Sequence, residues 1–285
     1  MTTTLAEVLS VLEEFYPADS AQSWDRVGLV TGDPAQPITR IHFAVDPTLA
    51  VIDEARKAGA DLLVTHHPLL LRGVHSLATT TAKGAAVTSL IVSDIALFCA
   101  HTNADSADPG VNTALATACG LTETQPLTIS EGSPLGLVGD LPQSLRLADF
   151  AAALSRNLPA TAGGVRVAGP VDAPVRRIAV LGGSGDSLFD AVRASAADVY
   201  VTADLRHHPA SEAREEARGG APYLIDAGHW ATESLWLAHA RDRLVAALSE
   251  RGVDPTRLET HISAVRTDPW DFVVGAQPLG GTREG

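Results

Sequence analysis

The sequence predicts an α/β fold with mixed sheets, organised as two related lobes. Short apolar segments of strand length alternate with segments of helical periodicity along most of the 285 residues. One strand-helix-strand order also occurs twice, first from Arg40 to Thr65 and again from Arg177 to Thr202. These two observations predict the following division: lobe one at about 1–122 plus 226–272, lobe two at about 123–225, and a flexible tail at 273–285.

The elements follow in order along the chain. An opening helix is predicted over Leu5–Phe15, where apolar residues recur at helical spacing. Strands and helices then alternate to Thr122. The segment from 135 to 175 is predicted to hold a short strand at 136–139 and a helix at 147–156. The second copy of the strand-helix-strand order follows, with its first helix beginning near Ser187.

The dipeptide His66-His67 directly follows an apolar strand and precedes Pro68. Adjacent strand residues point to opposite faces, so both rings serve one site only where the strand has ended. Pro68, which cannot donate to a strand ladder, marks that end. The pattern suggests ligands for a pair of metal ions, and the alternative is one core histidine beside one surface histidine.

Two more strands lead into histidines. Ile95–Ala100 runs into His101, and Tyr223–Asp226 leads to His229, with Glu233 four residues further on. Residues four apart share one face of a helix, which is a spacing suited to metal ligation. Such a pair alone is common on surface helices. Three histidine-bearing strand ends in one chain favour a metal site.

The internal duplication connects these segments. Asp105 and Glu233 occupy matching places after the last strand of each copy, which predicts two lobes facing one another across a shared site. The second copy also carries a His-His-Pro, displaced by four residues. We expect its histidines, His207 and His208, to lie on the surface or to support the site without binding metal.

A glycine-rich turn follows the first strand of the second copy and contains Gly183, Ser184 and Gly185. Exposed N–H groups and a helix N-terminus there could contact the phosphate of a substrate, and the alternative is a plain tight turn. The turn lacks the Gly-Lys-Ser/Thr of a Walker loop. Asp25 either caps a turn or lines the cleft.

Composition limits the functional class. No apolar run approaches the ~20 residues of a membrane span, and the polar start is unlike a secretory signal, so we expect a cytoplasmic protein. Cys99 and Cys119 are the only cysteines, which supports neither a disulfide framework nor a thiolate zinc site. A net charge of −13 disfavours nonspecific binding to nucleic acid.

Taken together in this order, the motifs resemble the NGG-interacting factor three-like family, whose bacterial members are often labelled GTP cyclohydrolase I type 2 homologues. The resemblance covers roughly residues 1 to 272. It is carried by Ser23–Leu29, Thr65–Pro68, Ala100–Asp105, Gly110–Asn112, Gly182–Gly185 and Gly228–Glu233.

The resemblance implies a fold built around a dinuclear metal cleft. It implies these metal ligands: His66, His67, Asp105, His229 and Glu233. It leaves His101 behind the metal, and it favours substrate contact by the glycine-rich turn. Trp230 stands where an aromatic residue, commonly tyrosine, is expected, and Thr113 replaces a frequent acid, but both lie outside the ligand set.

Nitrogen and oxygen ligands suit zinc, manganese, iron or nickel, so we expect two divalent transition-metal ions of one of these kinds per subunit. Two carboxylates only half-neutralise two such ions, and the resulting positive site would attract an anionic small molecule, such as a nucleotide. The resemblance also implies a homohexamer.

Two functions agree with these features. The first is a metal-dependent hydrolase of a nucleotide-like or phosphorylated small molecule, with GTP ring opening as the version that the family label implies. No catalytic group is identified beyond a metal-bound water. The second is a noncatalytic metal-binding protein, such as a metal store, insertase or regulator. A purely structural site is disfavoured, because five ligands for two ions leave open positions.

Overall fold

The computed structural model describes residues 3–276 and has the α/β fold with mixed sheets that the sequence predicts. Its helices are α1 (Leu5–Phe15), α2 (Leu49–Ala58), α3 (Ala82–Val92), α4 (Thr102–Ser106), α5 (Val111–Ala118), α6 (Leu147–Asn157), α7 (Phe189–Ala194), α8 (His207–Glu216) and α9 (His229–Glu250). Its strands are β1 (Thr3–Thr4), β2 (Gly28–Thr31), β3 (Pro37–Ile38), β4 (Arg40–Ala44), β5 (Leu62–Thr65), β6 (Ala96–Cys99), β7 (Thr122–Ser130), β8 (Ser133–Arg146), β9 (Arg166–Ala168), β10 (Pro174–Ser184), β11 (Val199–Ala203), β12 (Tyr223–Asp226) and β13 (Glu259–Ile262).

The described residues form two compact units. The first unit contains 3–111, 129–134 and 233–267, and the second contains 112–128, 135–232 and 268–276. Helix α9 begins in the second unit and continues in the first from Glu233 onward. The sequence predicts lobe boundaries at about 122 and 226. These boundaries differ from those of the compact units and stay a prediction.

The first unit is built on a five-stranded sheet in the order β13-β4-β5-β6-β2. Strands β13, β4, β5 and β6 run parallel, and β2 pairs antiparallel with β6 at one edge. Strands β5 and β6 are buried along their whole length, as expected of strands inside a parallel sheet. The carboxyl ends of β4, β5 and β6 therefore meet at one edge of this sheet.

Local sequence determines where the helices of this unit begin and end. Thr4 and Glu7 form a reciprocal capping box at the start of α1, and Thr48 caps α2 through its side chain. Helix α2 is capped at its C-terminus by Gly59, whose φ of 68° is the left-handed conformation that glycine adopts without strain. The apolar faces of α2 and α3 then pack with β5 and β6 in one buried cluster.

Helix α9 is attached to α1 inside the first unit. The Trp236 indole N–H donates to the Tyr16 hydroxyl at 3.1 Å, and both side chains are buried. The Arg243 guanidinium lies 3.9 Å from the ring centre of Phe15, and Arg251 pairs with Glu14 at 2.5 Å. The Trp236 contact fixes the segment of α9 that carries Glu233, and the two arginines hold the later part of the helix and the residue that follows it.

The second unit has a six-stranded sheet in the order β7-β8-β10-β11-β12-β9. Strands β10, β11 and β12 are parallel, and β8 and β9 pair antiparallel with β10 and β12 on either side. Each unit thus contains three consecutive parallel strands joined by helices, as the internal duplication predicts.

Several boundaries differ from the expectation. The short strand predicted at 136–139 is part of the long strand β8, and the first helix of the second copy begins at Phe189 instead of near Ser187. Cys99 and Cys119 are buried free thiols, and burial raises the pKa of both. No helix in the described range has the length and hydropathy that a membrane span requires. Most of the predicted tail, 277–285, lies outside the described residues.

Candidate metal centre

The centre lies where β5 and β6 of the first unit end. His66 and His67 follow β5 directly, and His101 follows β6 after a single residue. One ligand atom from each of these three histidines lies within 4.8 Å of the others. The ring centres of His66 and His67 are 5.0 Å apart, and His101 lies 5.2 Å from the first and 5.4 Å from the second. Parallel pairing of the two strands thus gathers three imidazoles at one point.

His66 is fully buried, and its environment determines which ring nitrogen carries the proton. Its Nδ1 lies 2.9 Å from the carbonyl oxygen of Ala100, which can only accept, so Nδ1 is the donor. In the neutral ring Nε2 then carries a lone pair. Burial lowers the pKa of His66 despite the nearby Glu233 carboxylate, which favours this neutral form.

The lone pair of His66 faces two carboxylates. Nε2 lies 3.4 Å from Oε1 of Glu233 and 3.8 Å from Oδ1 of Asp105, and no hydrogen-bond partner satisfies it among residues 3–276. A buried lone pair among carboxylate oxygens is unfavourable unless a cation lies between them. The donor set therefore fits a divalent metal ion.

His67 is held from two sides. Its Nδ1 lies 2.7 Å from Oδ1 of Asp46, and its Nε2 lies 3.1 Å from Oε2 of Glu233. Burial alone would lower the pKa of His67, but the two carboxylates raise it to about 10. Asp46 also accepts a hydrogen bond from the Thr267 hydroxyl. Sequence reasoning missed Asp46, although its position two residues after β4 matches that of His67 after β5.

His101 is oriented by the buried carboxylate of Asp25. The two side chains meet at 2.9 Å through Nδ1 of His101, and the same carboxylate accepts the Thr102 N–H at 3.0 Å and the Thr102 hydroxyl at 2.5 Å. Burial alone would raise the pKa of Asp25, but these hydrogen bonds hold it well below its usual range. Asp25 therefore acts on the site by orienting His101. This role is more specific than the two that the sequence suggests, which are capping a turn and lining the cleft.

The wall beside the three histidines is aromatic. The Trp236 ring lies 5.6 Å from that of His66, and Trp24, about half exposed, approaches His101 edge-on at 5.8 Å. Tyr16 connects this wall to helix α4, because its carbonyl accepts the side-chain amide of Asn103 at 2.8 Å. Neither Tyr16 nor Trp236 was singled out from the sequence, since each reads there as an ordinary apolar helix residue.

His229 is the first residue of α9 and belongs to the second unit. Its Nδ1 lies 2.8 Å from Oδ2 of Asp204 in the same unit. Glu233 follows on the same helix, and four residues of helix bring two side chains to the same face. Both residues lie on α9, as the helical spacing in the sequence predicts, and metal binding by His229 stays a prediction.

The glycine-rich turn of the second unit is engaged within that unit. The N–H of Gly182 donates to the Asn112 side chain at 2.9 Å, and the N–H of Gly183 donates to the Thr232 hydroxyl at 3.0 Å. A Cβ on Gly185 would lie 2.2 Å from the Tyr200 hydroxyl oxygen, so close packing requires glycine there. Substrate contact through Ser184 or Gly185 stays a prediction.

These features define a class: an α/β protein whose strand ends carry imidazoles and carboxylates that could bind metal. The chain belongs to the Duf34/NIF3 (NGG1p interacting factor 3) family, whose model matches residues 3–269. The family assignment made from the motifs is thereby confirmed.

Similar proteins agree with this assignment. A protein named GTP cyclohydrolase 1 type 2 homolog from Streptomyces coelicolor is 49% identical over 279 residues, covering 96% of each chain. One of the same name from Mycobacterium tuberculosis is 34% identical and covers 95% of this chain and 98% of its own. The crystal structure of a Bacillus cereus protein related to NIF3 superposes with a TM-score of 0.86 at 25% identity, over 96% of this chain and all of that one.

Proposed function

We propose that the protein is a dinuclear metal-dependent hydrolase that acts on a nucleotide-like or phosphorylated small molecule. The observation that carries this proposal is the buried Nε2 of His66, which lies among carboxylate oxygens without a hydrogen-bond partner in the described range. Relatives named GTP cyclohydrolase 1 type 2 homolog support a nucleotide as the first substrate class to test.

The proposed ligands are those that the family resemblance implies: His66, His67, Asp105, His229 and Glu233. The two oxygens of Glu233 face different histidines, His66 through Oε1 and His67 through Oε2, so this carboxylate is suited to bridge two ions. Asp46 fixes the ring of His67 from behind, as a carboxylate typically does for a metal-bound histidine.

Divalent ions held there would supply Lewis acidity and activate water near neutral pH. The residues around the ligands would position the substrate. Because Asp25 holds a proton on Nδ1 of His101 in the neutral ring, Nε2 of His101 is left as the nitrogen that can accept a proton or orient a ligand. Trp24 offers an exposed aromatic surface beside it.

A screen of the metal-loaded protein against nucleotides and phosphoesters tests the proposal. We expect turnover of at least one anionic compound, its loss in His67→Ala, and its retention in His208→Ala, which changes an exposed histidine of α8. Metal binding without turnover of any compound would contradict the hydrolase and favour a metal store, insertase or regulator.

We also propose, from the family resemblance, that the chain assembles as a homohexamer. Light scattering in dilute solution should give a mass several times that of the 29.7 kDa chain. A mass equal to that of one chain would refute the assembly without affecting the metal centre.

A further inference from the structure

A second group of ligating side chains lies in the first unit, on two strands and a helix that carry none of the proposed ligands of the metal centre. It consists of His42 on β4, Glu54 on α2 and His261 on β13. One ligand atom of each lies within 4.8 Å of the others. We name this group the edge cluster, because β13 is the edge strand of its sheet.

Strand pairing creates the edge cluster. His42 and His261 are register partners on two parallel neighbouring strands, so their side chains project from the same face of the sheet. Their ring centres are 4.9 Å apart. His42 shares its face with Ala44, two residues on, and Ala44 packs against residues of α2. Glu54 reaches that face from α2 and meets Nε2 of His42 through Oε2 at 2.9 Å.

Glu54 is held in place before any ligand arrives. The Ser263 hydroxyl donates to Oε2, and the N–H of Ala264 donates to Oε1 at 3.0 Å. Both donors come from the chain just after β13. Such hydrogen bonds orient ligating carboxylates in metal sites. The three side chains of the cluster differ in solvent exposure. His42 is fully buried, Glu54 is partly buried and His261 is exposed. The cluster therefore has a rigid base and an open side.

We propose that His42, Glu54 and His261 bind one divalent transition-metal ion of the zinc, cobalt or nickel type, with water completing its coordination. Two imidazoles and one carboxylate are a usual ligand set for such ions. Zinc distances of about 2.0–2.2 Å place tetrahedral ligand atoms roughly 3.3–3.6 Å apart. The 2.9 Å contact and the 4.8 Å limit bracket that spacing, so small side-chain rotations suffice.

An ion bound at Nε2 of His42 takes the place of the proton that this nitrogen now donates to Glu54. The neutral ring keeps one proton, which moves to Nδ1, so binding releases no net proton. The ion then connects the edge strand to β4 and to α2 at once. The alternative is that His42, Glu54 and Ser263 form only a hydrogen-bond network that anchors the strand. The two hypotheses differ in whether a metal ion binds. They also differ in the effect of removing His261, because the hydrogen bonds to Glu54 do not involve His261 and would survive its removal.

Metal titration separates them. The background is the full chain with His67→Ala, which weakens the proposed dinuclear centre. Zinc binding is measured calorimetrically, and cobalt binding by its visible absorption. We expect His261→Ala to lose one equivalent of bound metal relative to the background. We expect His239→Ala, which removes an exposed histidine of α9, to lose none. Equal stoichiometry and affinity in His261→Ala and the background would overturn the proposal.

Hydrogen exchange gives a second readout. Zinc should slow exchange of the backbone amides of residues 259–262 in the background protein but not in His261→Ala. Circular dichroism should show that both are folded, which is expected because His261 is exposed. Equal slowing in the two proteins would contradict the proposal. Glu54→Gln, which keeps the side-chain volume but removes the charge, should likewise lose the equivalent.

Discussion

Asp25 is a buried carboxylate whose cost of burial is offset by four hydrogen bonds, one of them from the backbone N–H of Arg26 to Oδ1 at 2.7 Å. Oδ2 accepts both the N–H and the hydroxyl of Thr102, while Oδ1 meets His101. Because ionised carboxylates are expensive to bury without partners, these four hydrogen bonds are needed to stabilise the charged side chain in its buried position. A structural carboxylate thus determines the orientation of a histidine at the candidate centre.

Asp25→Asn should lower the free energy of unfolding by about 1–3 kcal/mol, because an amide loses the charge and faces the Thr102 donors with a donor of its own. The pKa of Asp25 is depressed in the folded protein, so its contribution is present above the unfolded pKa of about 3.9 and is lost as the pH falls through the folded value. Urea unfolding of wild type and variant should therefore differ at pH 7 and converge in acid. The exposed Asp19 provides the control, since Asp19→Asn should show no such difference at pH 7.

His101 and His229 are predicted to differ, although the duplication makes them equivalent. His101→Ala should retain metal with roughly 10- to 100-fold weaker affinity, as when a supporting partner of a ligand is lost. His229→Ala should lose one of the two ions, because it removes a proposed ligand. Titration of the metal-free proteins measures both, with His208→Ala as the unchanged control. Equal loss of ions in the two variants would make His101 a ligand as well.

The sequence predicts the histidines of the centre but not their partners. His66, His67 and His101 are visible because each follows an apolar strand. The roles of Asp46 and Trp236 cannot be predicted from the sequence, because they depend on which strands and helices become neighbours in the fold. His66 becomes informative only when the Ala100 carbonyl is seen to fix its proton and two carboxylates are seen to face its lone pair.

At the scale of secondary-structure elements, the two copies of the duplication also share individual hydrogen bonds. Oδ2 of Asp61 accepts the backbone N–H groups of Thr39 and Arg40, at 2.7 and 2.9 Å. Oδ2 of Asp198 accepts those of Arg176 and Arg177, at 2.8 and 2.9 Å. Each aspartate lies just before the second parallel strand of its copy and accepts hydrogen bonds from the first one, at the start of β4 and near the start of β10. Both copies thus use the same device to fix the register of their parallel strands.

Asp61→Ala and Asp198→Ala should each destabilise the protein by about 1–3 kcal/mol, because each leaves two backbone donors without a charged acceptor. Chemical denaturation followed by circular dichroism measures this. Asp19→Ala, at an exposed position, is the matched control. A change within the error of the control at either position would show that the hydrogen bonds are not equivalent in the two copies.

Elements with buried faces are predicted well, and elements without them are not. Helix α1 agrees with its predicted bounds because its apolar residues repeat at helical spacing. Strand β7 is largely exposed, and β8 extends well beyond the predicted 136–139. The hydrogen bonds of such a hairpin are satisfied by pairing between its strands, which no apolar alternation in the sequence reveals.

At the scale of the whole molecule, the proposed metal would compete with a proton for His67. Without metal, the carboxylates of Glu233 and Asp46 raise the pKa of His67 to about 10, so its ring carries a proton at neutral pH. This protonated ring contributes stability that is fully present below about pH 6.5, the unfolded value, and is lost as the pH rises through about 10. A metal ion at Nε2 must displace that proton, so metal affinity should increase with pH across this window.

Chelation should therefore destabilise the protein, and by more at pH 8 than at pH 6. A ligand present at 100 times its dissociation constant stabilises the folded state by about 2.7 kcal/mol, and a tighter complex at the higher pH stabilises it more. Thermal melts with and without zinc, at both pH values, measure the effect. In His67→Ala the metal-dependent shift should shrink and should lose most of its dependence on pH, because the competing proton is gone. His208→Ala should keep both the shift and its pH dependence. A shift that is larger at pH 6 than at pH 8 in the wild-type chain would contradict the competition and place the bound metal on groups other than His67.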